Sequence, residues 1–416
     1  MVKPIRKHWA IFTDTNSDID FFTCQLLKGE FSDEFKSLKN KRGVLFSKTT
    51  IDLLIREEEI HDIKLATKHT TQRLKSMSSG EQKKAVLNYI LTKKPNFIIL
   101  DNPFDHLDIS SRVQLKTQLE KISKTKTLIQ LIHRKEDLLV FCSEFIFLNR
   151  KKLEVHNSIS SIFKQKKNSV FQGKIPPPLK SIPYHNTTLI CLKLVNVYYD
   201  DKPILKEINW DIKQREFWQL IGPNGSGKTT LLSMITGENS KGYGQELYIF
   251  GKKKGTGESI WDIKEKIGYY SPSITYNFKG NHTVAHMLIS GITDSIGLYQ
   301  IPTELQKKLA HKWLEVLDML SLKNKLFNEL SIGKQRLIMV ARAMVKHPLL
   351  LILDEPTENL DDASALLVVT LINKIAKESN TAILFVSHRK EKKLNPEYIY
   401  ELQKTETGTI GRMIQN

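Results

Sequence analysis

The chain has 416 residues, room for two or three globular domains. With 40% hydrophobic and 26% charged residues it can fill real cores, which excludes a disordered or fibrous chain. The net charge of +18 favours anionic partners, but 51 of the 63 basic residues are lysines, so charge alone does not demand a dedicated nucleic-acid clamp.

In chain order, the first informative segment is HWAIFTDTNSDIDFF, a short apolar strand at Trp9 followed by a polar turn. The N-terminal stretch MVKPIRKHWAIFTD has no signal-like apolar segment, and no run nears the roughly 18 apolar residues of a membrane helix. Next come MSSGEQKK at 77–84, a helical stretch, and the apolar strand opening FIILDNPFDHLD at 97–108. LIQLIHR then places His133 at the end of another strand. Residues 150–180 are basic, and IPPPLKSIP carries four prolines in nine positions, which predicts a stiff linker over 151–187 between domains at 1–150 and 188–416. Cys24, Cys142 and Cys191 lie far apart in no metal spacing, which fits a reduced compartment.

The second half repeats the first. LSIGKQRL at 330–337 answers MSSGEQKK, and LLILDEPTENLD at 350–361 answers FIILDNPFDHLD. Ser78 and Ser331, Asp101 and Asp354, and Asp108 and Asp361 each differ by 253. Upstream, Trp9 matches Trp218 at an offset of 209, so the first copy lacks 44 residues there. It also lacks a counterpart of the strand-and-turn segment LVNVYYDDKPILKEINWDI. Short β-branched runs alternating with helical stretches predict α/β construction, with function at the carboxyl ends of parallel strands.

The second copy carries a full phosphate loop, GPNGSGKTT at 222–230, between a strand and a helix. Gly222, Gly225 and Gly227 let backbone N–H groups curl around phosphate oxygens; Lys228 reaches the β- and γ-phosphates, and Thr229 offers a hydroxyl to Mg²⁺. Asn224, Ser226 and Thr230 complete the expected nucleotide contacts. Asp354, ending an apolar strand, is expected to hold Mg²⁺ through water, Glu355 to orient the attacking water, and His388 to hold the γ-phosphate.

In the first copy Thr13 replaces the first glycine, Ile19 the lysine and Asp20 the threonine of the loop, and Asn102 replaces the glutamate. Phosphate would meet carboxylates there instead of an ammonium. Ser78, Gly80 and Gln82 remain at a helix start.

These motifs resemble the ABC-type ATPases, and the resemblance covers nearly the whole chain. It implies two ABC-type P-loop NTPase domains, the first truncated and degenerate, the second with a small antiparallel β subdomain and a helical subdomain. It further implies composite sites, the loop of one domain closing on the serine-glycine signature of the other. One ATP site would then join the loop and acids of domain 2 to Ser78, Gly80, Gln82 and Asp108. The opposite site, with Ile19, Asp20, Asp101 and Asn102 facing Ser331 and Gly333, would be dead. By the same resemblance Tyr199 stacks on adenine, Asp361 lies in a loop at the domain interface, and Pro272 stands where a glutamine is usual, with Ser271 or Ser273 as candidate substitutes. Tyr276, Phe278 and Ile292 would present a docking patch or fill the helical subdomain.

The stretch 290–320 is similar to the tandem subfamily named for molybdenum transport or photorepair. The expected role is therefore ATP hydrolysis as the ATP-binding subunit of an ABC transporter, cytoplasmic or peripheral at the inner face of a membrane, with an integral membrane subunit as partner. The alternative is a soluble ATPase acting on ribosomes and translation, or on nucleic acid in repair or regulation. A tyrosine platform leaves ATP and GTP undistinguished.

Overall fold

In a computed structural model, residues 6–30, 32–68, 70–163, 171–278 and 280–415 are described. The chain divides into two compact units, 1–167 with the stretch 358–363, and 168–357 with 364–416.

The first unit is a single six-stranded sheet. Its strands are β1 (Trp9–Thr13), β2 (Gly43–Phe46), β3 (Phe97–Asp101), β4 (Thr127–Ile132), β5 (Glu144–Asn149) and β6 (Lys152–His156), in the order β2-β3-β4-β1-β5-β6. Only the β5–β6 pair is antiparallel. The central strands are buried on both sides, as their unbroken β-branched runs require. Helices α1 (Ile19–Lys28), α2 (Lys48–His61), α3 (Ser79–Thr92) and α4 (Ile109–Ser123) cover the faces, and a short α5 (Ile159–Phe163) closes the unit. Two apolar layers result, one around Phe46, Val86 and Leu119, the other around Trp9, Phe35 and Phe97. Arg134 donates through Nε to the Leu360 carbonyl at 3.1 Å, tying the 358–363 stretch into this unit.

The expected linker is shorter than its composition indicated. β6 and α5 occupy 152–163, where half-buried Leu153 and His156 stand among exposed Lys152, Glu154 and Val155 in an edge strand. Downstream, Phe171 and Ile175 are buried, the Ile175 N–H donates to Glu378 (2.9 Å), and His347 Nε2 contacts the Pro176 carbonyl at 2.7 Å. The proline stretch is a strap on the second unit, not a free tether.

The second unit is built on a ten-stranded sheet. Its antiparallel pairs join β7 (Thr188–Tyr199), β8 (Lys202–Lys213), β10 (Glu246–Ile249) and β11 (Lys252–Lys253), and make a hairpin of β15 (Tyr398–Thr405) and β16 (Gly408–Gln415), which meets β8 in parallel. Its parallel part runs β15, β9 (Phe217–Ile221), β14 (Ala382–Ser387), β13 (Leu350–Asp354), β12 (Ile267–Tyr270). Helices α6 (Lys228–Ile235), α7 (Ile260–Lys266) and α12 (Asp362–Glu378) flank the strands, and α8 (Pro272–Asn277), α9 (Val284–Ile289), α10 (Glu304–Val316) and α11 (Ile332–Met344) belong to the helical part. The tandem P-loop architecture and both subdomains expected from the sequence are present.

The repeat extends to backbone conformation. Asn102 and Glu355, His106 and Asn359, and Lys94 and His347 all adopt positive φ, each pair 253 apart. Gln82 Nε2 donates to the Leu74 carbonyl (3.0 Å), and Gln335 Nε2 to that of Phe327 (3.2 Å), again at one offset.

Candidate functional site

The phosphate loop sits where β9 feeds α6. Gly227 caps α6 at φ +87° with no side-chain hydrogen bond to the helix's first N–H groups. A Cβ there would stand 2.6 Å from Leu205, so glycine is required by both conformation and space. The helix start therefore offers backbone donors to an anion. Lys228 is buried and folds back onto the loop, donating from Nζ to the carbonyls of Gly222 (2.6 Å) and Pro223 (3.1 Å). The Ser226 hydroxyl is fully buried and finds no hydrogen-bond partner among the described residues. A buried donor left over inside a glycine loop fits a phosphate oxygen. Thr229 is exposed at the helix start, and Gly225 (φ +68°) and Asn224 complete the turn, with Thr230 half-buried behind them.

Asp354 ends β13 beside β14, and Glu355 follows at φ +50°, a strained setting for a side chain of this size. Its N–H donates to the Val386 carbonyl (2.9 Å), which fixes the turn. Glu355 Oε2 lies 2.9 Å from His388 Nε2, so the two expected catalytic groups meet. Arg336, not among the residues expected from the sequence, is buried behind them; it donates to the Glu355 carbonyl at 3.4 Å and stacks 5.2 Å from the Tyr270 ring. An arginine three residues after the signature glycine was its visible trace.

Tyr199 ends β7, half-exposed, its hydroxyl accepting from Asn239 Nδ2 (2.9 Å). The Lys241 ammonium lies 5.3 Å over its ring, so one face already carries a cation. Phe278 is buried against Phe327 and beside His282, which places it in the helical core and not on a docking face. The Tyr276 side chain lies outside the described residues.

The first unit's loop is closed by its own carboxylates. Asp18 occupies the capping position of α1 that Gly227 holds in α6, at the offset of 209, and its Oδ1 accepts from the Phe21 N–H (3.0 Å). Asp14 Oδ1 accepts from the Asn16 N–H at 2.9 Å, and the Thr13 hydroxyl donates to the Ile132 carbonyl at 3.3 Å. Ile19 opens the helix and Asp20 is exposed. Asn102 turns its amide onto Asp101 Oδ1 (2.9 Å) at φ +42°. Burial, reinforced by Asp105, pushes the Asp101 carboxyl up to about 6.

The signature serines differ. Ser78 forms a capping box with Glu81, its N–H donating to Oε2 at 2.8 Å and its hydroxyl at 2.7 Å. Ser331 caps α11 without a side-chain bond. Gly80 packs against Ser111 and Gly333 against Ser364, the same approach in both copies. Asp108 caps α4, accepting from the Ser111 N–H at 2.8 Å.

For a metal, Thr229 and Asp354 supply the hard oxygen donors that Mg²⁺ selects, so the residues present fit the ion.

The sequence profile of the ABC transporter family matches residues 205–358. The chain is 37% identical over 333 residues to the ABC transporter ATP-binding protein ModF of Escherichia coli, covering 77% of this chain and 68% of that protein. It is 30% identical over 318 residues to an uncharacterized ABC transporter ATP-binding protein of Schizosaccharomyces pombe, covering 75% of this chain and 65% of the other. In fold it is similar to an archaeal ribosome recycling factor solved with a ribosomal stalk protein, at TM-score 0.62 and 18% identity, over 99% of this chain and 87% of that one.

Proposed function

Since the chain belongs to the family of ABC transporter ATP-binding proteins and is an ATPase, we propose that it hydrolyses ATP at one site only. The observation that carries this reading is the pair of helix caps: an open Gly227 in the second unit, and a self-satisfied Asp18 in the first. An added phosphate would have to displace a carboxylate from α1 and then face Asp14 and Asp20.

At the working site the glycine loop and Lys228 bind and orient the phosphates. Lys228 must leave the carbonyls of Gly222 and Pro223, which the phosphate oxygens replace as stronger partners. Thr229 and Asp354 would hold Mg²⁺, which would supply neutralisation of the phosphate charge. Glu355 accepts the hydrogen bond of the attacking water and takes its proton as the bond to the γ-phosphorus forms and the bond from that phosphorus to the bridging oxygen breaks, releasing ADP and phosphate. His388, against Glu355, holds the γ-phosphate side. In the composite reading, Ser78, Gly80 and Gln82 of the first unit close over this nucleotide, and the Ser78 hydroxyl exchanges Glu81 for phosphate.

The work done by hydrolysis is assigned to a soluble tandem machine in the cytoplasm, acting on a ribosome or a similar polyanionic particle. Supporting it are the Pro272 substitution, which removes the side chain expected to couple to a membrane subunit, and the two-unit architecture shared with a ribosome recycling factor. This reverses the order expected from the sequence. A transport role, with a membrane subunit and a molybdate-type cargo, is the second reading and rests on the family resemblance and the names of relatives. No helix among the described residues is long and apolar enough to cross a membrane.

Ser78→Arg is expected to lower ATP turnover by about 100-fold, and Ser331→Arg to leave it within a few-fold. Equal losses would refute the composite pairing. Sedimentation of the Glu355→Gln chain with ribosomes in ATP supports the soluble role; recovery with one integral membrane protein instead would replace it.

A further inference from the structure

The positive charge of the first unit gathers at the amino-terminal edge of its sheet. Gly43 at the start of β2 pairs with Phe97 at the start of β3, and Phe97 with Thr127 at the start of β4. The residues just ahead of these starts are bonded side by side. The Asn96 N–H donates to the Arg42 carbonyl (2.9 Å), the Arg42 N–H to Asn96 Oδ1 (3.0 Å), and the Thr127 N–H to the Asn96 carbonyl (3.3 Å). Neighbouring strands stand about 4.8 Å apart, so the three connections span about 10 Å. Lys41 and Arg42 lead into β2, Lys93 and Lys94 into β3, and Lys124 and Lys126 into β4. Lys126 is half-buried and the other five are exposed. Among the described residues no carboxylate pairs with any of the six, whereas Lys7, ahead of β1, holds Glu144 at 3.0 Å. Like charges within a Debye length of one another repel, so this edge costs the free unit stability.

The second copy shows that the fold does not need these cations. Phe97 answers Leu350 at the offset of 253, and through the two registers Gly43 answers Ile267 at an offset of 224. Lys41 then answers Glu265, Arg42 answers Lys266, and Lys94 answers His347. Lys126 answers Thr381 at the offset of 255 that relates His133 to His388. Lys93 answers Lys346, whose ammonium is taken by Asp294 and by the Lys264 carbonyl (2.7 Å). The proline strap lies over the same edge, its Pro176 carbonyl on His347 and its Ile175 N–H on Glu378. One edge is neutralised and covered; its counterpart in the first unit is charged and exposed.

The chemistry of the patch narrows its partner. Unpaired lysines and an arginine in a short row suit a row of phosphates. No large apolar side chain is exposed in 39–42, 93–96 or 121–126, so these connections have nothing to sink into a lipid surface. Tyr89, half-buried one turn before Lys93, has that lysine's Nζ 4.6 Å over its ring and offers an unpaired base little to stack on. We propose that this edge of the first unit binds the phosphate backbone of double-stranded RNA, by charge and without regard to base sequence. The inference rests on the reading of the protein as a machine that acts on a ribosome or a similar polyanionic particle, and names the face that touches it. The 14 residues of α3 put Lys93 about 20 Å from Ser78, so RNA at this edge leaves the signature free.

The test uses the full chain and a fluorescein-labelled RNA duplex of about 20 base pairs and arbitrary sequence, read by fluorescence anisotropy over a series of KCl concentrations. Arg42→Gln, Lys93→Gln and Lys124→Gln together remove one cation from each connection. This triple variant is expected to bind the duplex more than about tenfold more weakly, and the slope of log affinity against log salt to fall by about 3, one for each phosphate contact. Its ATP turnover without RNA is expected to match the parent, which also reports that it folds. Lys308→Gln, Lys312→Gln and Lys325→Gln, at exposed lysines of the second unit, make the same change in net charge and should leave RNA affinity within about twofold. Equal losses in the two triple variants, or an unchanged slope in the first, overturn the inference. So does binding to phosphatidylserine vesicles with none to the duplex. If ribosome sedimentation survives that failure, the soluble role stands without this surface; a chain that binds neither duplex nor ribosome loses both readings.

Discussion

Equivalent residues in the two copies hold the same backbone and do opposite chemistry. Glu355 and Asn102 each follow a strand-end aspartate in the left-handed region, yet one reaches His388 and the other turns onto Asp101. Glu355→Gln should lower turnover by about 100-fold or more while ATP still binds, as measured by steady-state phosphate release and equilibrium binding. Asp101 gives the first unit a stability signature. Its folded pKa is raised above the ordinary 3.8 to about 6, so the folded state holds its proton more tightly than the unfolded one. That contribution is full below pH 4 and is lost as pH rises to 6. Asp101→Asn should flatten this part of the pH profile and leave the variant more stable than the parent at pH 7 by an order of 2 kcal/mol. Urea unfolding of both chains at pH 4 and pH 7 reads the difference; parallel profiles would contradict the assignment.

Among elements, helix starts decide what each copy can bind. α6 begins on an open glycine, α1 on an aspartate, α3 on a capping box and α11 on an uncapped serine. Ser78→Ala should cost about 1 kcal/mol of stability through the lost cap, and Ser331→Ala clearly less, in thermal or urea unfolding. Much of this was legible beforehand. The offsets of 253 and 209 located the loop, signature and strand-end motifs, and Ile19 in place of the loop lysine marked the first copy's loop as degenerate. The pattern Ser78-x-x-Glu81 and the Asp18 cap before IDFF are helix-start signals that went unread in the sequence. Their consequence, that the loop's donors are already satisfied, needed the turn's hydrogen bonds. The edge strand at 152–156 was hidden because its lysines and glutamate read as linker charge. Arg336 was hidden for a different reason. It matters only through helix packing that joins segments tens of residues apart.

Over the whole molecule, the sequence repeat accounts for two P-loop units, and the losses in the first copy account for an asymmetric pair. The first unit retains a signature and a full core while its loop donors serve itself; the second retains the glycine loop, Lys228, Asp354, Glu355 and His388, with Pro272 where a glutamine was expected. The central claim is therefore a count. Equilibrium dialysis of Mg·ATP against the Glu355→Gln chain should give one tight site per chain, abolished by Lys228→Ala. Two tight sites, or one that survives Lys228→Ala, would contradict the account.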